Sequence, residues 1–174
     1  MADSHPIPAR TGRNVDQDMN QLVDLLAPER VLYRPSVGSK KRALEILSEL
    51  MATESGPVSA NEALTSLIER ERLGSTGLGH GAAIPHGRLN GLDNAICAFL
   101  KLGDGVDFDA VDEQPVDMIC GLLVPAQSTS EHLNILALLA EMFSDAQLRQ
   151  RIKEARTDGE IYDLLVGWQR GAGD

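Results

Sequence analysis

Cysteine is nearly missing from this chain. Its 174 residues contain only Cys97 and Cys120, each set in an apolar run of the kind that becomes a buried strand. Packing therefore explains them better than redox chemistry, and no disulfide framework is implied. Basic charge is also short: 16 Lys and Arg stand against 26 Asp and Glu, a net charge of -10. Such a surface repels nucleic acid and anionic membranes at long range, which leaves proteins as the expected partners. Long apolar runs are absent too. Stretches such as Ile135 to Ala140 fall far short of the roughly 20 residues a membrane-spanning helix needs, so no membrane insertion is expected. The first 20 residues lack the apolar core of a signal peptide, which favours a cytoplasmic location.

Several catalytic signatures are missing as well. Three histidines and two cysteines lie between His80 and His132, yet no CxxC or HExxH pair occurs and both cysteines are expected inside a sheet, so the spacing argues against a metal site. There is no G-x-S-x-G elbow for a serine hydrolase. Gly77-Leu78-Gly79-His80-Gly81 has the wrong spacing for a dinucleotide fingerprint, and no P-loop lysine follows it. No cofactor is implied.

What is present reads as one domain over residues 19–168. Residues 1–18 mix Pro6, Pro8, Gly12 and charges without periodicity, which predicts a flexible tail, and the Gly-rich residues 169–174 predict another. A short amphipathic piece, Met19 to Leu26, is stopped by Pro28, and Val31 to Tyr33 looks extended. Ser39 can cap a helix whose apolar positions are Ala43, Leu44, Ile46, Leu47 and Leu50; Lys40, Lys41 and Arg42 then form its wet face or, more sharply, a basic docking patch. A second helix opens on the capping box Ser59 to Glu62, carries Ala63, Leu64, Leu67 and Ile68, and ends at Gly74. Ala95 to Leu102 and Val116 to Val124 read as interior strands joined by 103–115. Next come a helix after Ser128-Thr129-Ser130, with Leu133, Leu136, Ala137 and Ala140 on one side, a helix from Asp145 to Ala155, and one capped by Thr157 with Glu160. Helices on both sides of a strand cluster predict an α+β chain folded as a three-layer α/β/α sandwich around a mixed β-sheet.

The richest chemistry lies in Gly77 to Arg88, where four glycines surround the dipeptide Pro85-His86. Glycine permits turns and close approaches, and proline stiffens the backbone, so a narrow loop presenting His86 is expected. The imidazole could serve as nucleophile, general base or metal ligand. Phosphoryl transfer would need an accessible ring nitrogen and donors for three oxygens. Gly87 and Arg88 could supply donors, His80 could orient His86, and His132 with Ser128 to Ser130 would sit at a helix N-terminus suited to anions, unless His132 is simply part of the cap. Arg70 and Arg72 are candidates for charge compensation.

The run from Gly74 to Arg88 resembles the phosphorylation loop of the mannitol/fructose-type EIIA proteins of the bacterial phosphoenolpyruvate-dependent phosphotransferase system. Ser39 to Leu50, Phe108 to Asp112, Gln114 to Asp117, Leu122 to Ala126 and Glu131 to Leu133 are further similar to its nitrogen-regulatory branch, often called PtsN or EIIA-Ntr. The resemblance implies that His86 is the phosphorylated histidine, loaded by an HPr-like phosphocarrier of the NPr type, that His132 helps hold the phosphoryl group, and that Arg70 balances charge. His80, Gly87 and Arg88 are then supporting residues of the phosphate loop. It also implies a phosphoryl carrier rather than a turnover enzyme, regulating target proteins by phosphorylation-dependent binding. A stand-alone transport subunit that passes phosphate to a fructose/mannitol-type permease is the alternative, and a homodimer stays open.

Overall fold

In the computed structural model, residues 22–52, 56–128 and 130–169 are described; the tail expected at 1–18, and all but Gln169 of the one at 169–174, lie outside them. The chain runs β1 (Leu26–Arg34), α1 (Lys40–Met51), α2 (Ala60–Arg72), three short strands β2 (Gly77–Gly79), β3 (Ala82–Ala83) and β4 (His86–Leu89), the long pair β5 (Ile96–Val106) and β6 (Val116–Pro125), then α3 (Ser130–Ser144), α4 (Ala146–Glu154) and α5 (Asp158–Val166). Polar caps start four of the helices where the sequence placed them. Ser39, Ser59, Asp145 and Thr157 each accept backbone N–H groups of the first turn, worth about 1 kcal/mol apiece.

The strands form one mixed sheet in the order β1-β5-β6-β3-β2, with β4 also on β6. β5 and β6 are antiparallel at its centre, while β1 runs parallel to β5, and β3 and β4 run parallel to β6. Because side chains alternate across a strand, the same two runs feed two cores. Phe99, Met118, Cys120 and Leu122 pack against α3, α4 and α5, whereas Leu100, Leu102, Ile119 and Leu123 pack against α1 and α2. Side chains as large and as deeply buried as Phe99 and Leu123 contribute roughly 1.5–3 kcal/mol each. The three-layer sandwich expected from the sequence is the observed architecture.

Three local expectations change. The glycine-rich segment is not a free loop but three strands. β6 is buried on both faces, so its far edge needs partners for its backbone groups; Gly81 O accepts from Asp117 N and Met118 N, both at 3.0 Å, and Pro85 O accepts from Leu122 N at 3.0 Å. β5 continues past Leu102 through two glycines to Val106, where Asp104 N donates to Pro35 O at 2.8 Å. Finally, α3 turns a different side to the sheet: Ile135, Leu139, Met142 and Phe143 are buried with His132, while Leu133 is 66% exposed and Ala137 is exposed. A buried histidine in the first turn shifts the inward face by one residue.

Candidate functional site

β4 is only four residues long, and its alternation builds the site. Pro85 O and Leu89 O accept from Leu122 N and Ala126 N of the neighbouring segment, each at 3.0 Å, so the odd-numbered residues, Gly87 included, turn their backbone groups toward β6. The even-numbered ones turn theirs away, and Arg88 O accepts from Ser66 Oγ of α2 at 2.9 Å. Gly87 is therefore not a phosphate donor as the sequence suggested, because its N–H faces the sheet. Its value is closeness: a Cβ here would run into Ser66 Oγ and lie 3.0 Å from the Ser66 carbonyl carbon. Only glycine lets α2 sit this tightly behind the strand.

His86 pairs with Leu122 and shares the face that β6 turns to α3. There its ring meets His132, with centroids 5.5 Å apart and planes inclined at 61°. His86 Nδ1 lies 2.9 Å from Ile84 O. A carbonyl only accepts, so Nδ1 carries the hydrogen and donates it, and Nε2 keeps its lone pair. His132 is 6% exposed, and its Nδ1 is buried without a hydrogen-bond partner. Burial pushes His86 below the usual histidine range; Arg70 and Arg88 push the same way, against the Ile84 carbonyl and the Glu71 carboxylate. Burial also lowers His132, with His86 and Arg88 adding to the effect. Both rings are thus held neutral near neutral pH, the form in which imidazole is a nucleophile.

The fold brings His86, His132, Arg70 and Arg88 into one electrostatic neighbourhood. Arg70 also donates from Nη1 to Gly74 O at 2.9 Å, which anchors the guanidinium at the end of α2. His80 is elsewhere. β3 and β4 follow β6 with Ala82 opposite Met118 and His86 opposite Leu122, so the two strands' starts are about 13 Å apart along the sheet. His80 sits beyond Ala82 at φ +55°, donating its backbone N–H to Asp112 Oδ2 at 3.0 Å. It does not orient His86. Among the described residues no group of three or more His, Cys, Asp or Glu side chains could hold a metal ion, and no helix is long and apolar enough to cross a membrane.

Three residues near the site escaped the sequence. Glu71 is buried and accepts from Thr76 N at 3.0 Å and Thr76 Oγ1 at 2.6 Å. Lys40, expected on the wet face of α1, instead places Nζ 2.8 Å from Glu71 Oε1 with its side chain only 21% exposed; Lys41 and Arg42 alone of that trio face solvent. A signal existed in Ala63, Leu67 and Glu71. They are four residues apart, so the carboxylate continues the buried stripe of α2.

The chain belongs to the family described as the phosphoenolpyruvate-dependent sugar phosphotransferase system EIIA 2, whose model matches residues 24–167. Within that class it is similar to nitrogen regulatory proteins. It is 44% identical over 153 residues to the one from Pseudomonas aeruginosa, across 88% of this chain and 99% of that one. The crystal structure of nitrogen regulatory protein IIA-Ntr from Neisseria meningitidis superposes with a TM-score of 0.76 at 41% identity, covering 83% of this chain and 98% of that one. The crystal structure of IIA mannitol from Escherichia coli, at 24% identity and TM-score 0.65 over 80% of this chain and 98% of that one, shares the fold. Both the family and its regulatory branch, drawn from the motifs around residues 39–50 and 74–133, are borne out.

Proposed function

We propose that His86 accepts a phosphoryl group at Nε2 from a phosphohistidine on an HPr-like carrier of the NPr type, and that the modified protein regulates targets by binding them differently. The observation that carries this reading is the 2.9 Å hydrogen bond from His86 Nδ1 to Ile84 O, which leaves Nε2 as the free nucleophile beside His132. In the transfer, the Nε2 lone pair forms the new N–P bond as the carrier's N–P bond breaks. The carrier's phosphohistidine enters with its other ring nitrogen protonated, so its imidazole leaves neutral as the N–P bond breaks; His86 keeps its Nδ1 proton against the Ile84 carbonyl, and its ring takes up the positive charge beside the new phosphoryl dianion. Arg70 and Arg88 offset the dianion, and His132 offers a ring N–H to its oxygens. Little else is required, since phosphoryl transfer is mainly positioning and charge stabilisation.

Phosphorylation adds roughly -1.5 to -2 units of charge. That charge would fall close to Leu133, the exposed residue following His132, so a target docked on this apolar position in the unmodified state would meet a dianion in the modified one. The test is incubation with the energy-coupling enzyme, its carrier and phosphoenolpyruvate, followed by mass spectrometry. An acid-labile gain of one phosphoryl group that disappears in His86→Ala supports the reading. No gain, or one that survives the substitution, overturns it, and a requirement for uptake of one carbohydrate in a deletion strain would replace regulation by transport.

A further inference from the structure

A chain of short hydrogen bonds runs from a lysine on another helix to the imidazole, and the phosphoryl chemistry above uses only its last link, from His86 to Ile84 O. Lys40 is the first residue of α1, directly after the Ser39 cap. Its ammonium lies 2.8 Å from Glu71 Oε1, donates to Phe108 O at 3.2 Å and stands 4.6 Å from the Phe108 ring centroid, with the exposed Asp109 carboxylate more distant at 3.6 Å. Glu71, only 5% exposed at its side chain, takes both the N–H and the hydroxyl of Thr76. Thr76 O then accepts from Ile84 N at 3.0 Å, and Ile84 O is the acceptor that fixes His86 Nδ1.

We infer that Lys40 is a positioning residue for the phosphoryl acceptor, acting through Glu71, Thr76 and Ile84 to hold the His86 ring in one tautomer with Nε2 outward. The physical reason is that a buried carboxylate is tolerated only when paired and fully hydrogen-bonded. Without the ammonium, Glu71 must take up a proton or admit water. Either change loosens its two bonds to Thr76 and releases the carbonyl that sets the tautomer. The charge matters as well, for an unneutralised Glu71 would oppose the approach of a phosphoryl dianion that Arg70 and Arg88 attract. The groups facing the ring are then Arg70, Arg88, Glu71 and His132.

The inference rests on His86 being the acceptor, and the experiment separates the two ideas by reading the ring directly. Nitrogen-15 NMR of the imidazoles in the full chain reports tautomer and titration with no phosphorylation at all. In Lys40→Met the His86 ring should lose its single Nδ1–H tautomer, and the rate of phosphoryl uptake from the carrier should fall about tenfold or more. Lys40→Arg should recover most of both. Arg42→Met, on the exposed side of the same helix, should change neither. If Lys40→Met does not fold, Thr76→Val keeps both charges paired and should still disturb the tautomer. A wild-type His86 spectrum and rate in either folded variant overturns the inference. If wild type takes up no phosphoryl group, the acceptor reading fails and the tautomer result alone decides whether Lys40 positions the ring.

Discussion

His80 and His86 are six residues apart in the same glycine-rich segment, and each is followed directly by glycine. Their surroundings have little in common. His80 occupies a turn at positive φ, and the backbone N–H of Gln114, joined by that of His80, holds the Asp112 carboxylate below the usual carboxylate range. The residue serves the turn through its main chain. His86 opens a strand whose register directs the ring under the first turn of α3, where burial, a second histidine and two arginines act on it. The lesson is that local sequence supplied two similar imidazoles, and strand pairing gave only one of them a chemical environment.

Substitution separates the two histidines most strongly. His86→Asn should abolish carrier-dependent labelling, whereas His80→Asn should leave the rate within about twofold, since a distant side chain that touches none of the reacting groups acts independently. Equal losses in phosphotransfer assays would mean that the two histidines form one site after all. Next in size, removal of the neighbouring ring in His132→Ala should slow uptake on the order of a hundredfold, the usual cost of deleting one preorganised donor, with the fold intact by circular dichroism.

Stability distinguishes the two regions in another way. Gly87→Ala forces a methyl group into Ser66 and should cost about 1–3 kcal/mol in chemical denaturation. Gly91→Ala, at φ +82° with nothing within 4 Å of the added methyl, should cost about 1 kcal/mol from backbone strain alone. Equal losses would show that α2 does not press on β4 as closely as the geometry requires.

The smallest expected effect is a dependence on pH. His86 and His132 both bind protons more weakly in the folded chain than in the unfolded one. Their contribution to stability is therefore whole above the unfolded histidine value near 6.5, is lost as pH falls through that value, and levels off below the folded values. Denaturation of wild type and of the His86→Asn/His132→Asn double variant across that window checks the sign: the double variant should show the shallower slope.

Much of the architecture was legible because it follows short-range rules. Ser39, Ser59 and Thr157 cap their helices as their spacing implied, and the apolar runs at residues 95–102 and 116–124 became the sheet centre. The segment from Gly77 to Arg88 was misread as a loop, since the edge of β6 that recruits it lies some 40 residues further along the chain. Lys40 was misread for a related reason. Its helix has a wet side, but its partner Glu71 belongs to another helix. Gly87 was correctly noticed and wrongly explained, because the atom that forbids a side chain there is on Ser66.

By itself the amino-acid order determined the helices, the two central strands, the acidic surface and the presence of an imidazole between proline and glycine, since these depend on neighbours within a turn or two of chain. Tertiary structure alone decided which histidine meets a second one, which ring nitrogen is left free, and which lysine is buried against Glu71. Those outcomes depend on backbone pairing and desolvation between segments far apart in sequence, and the cost or gain of placing a charge there exists only once the segments have met.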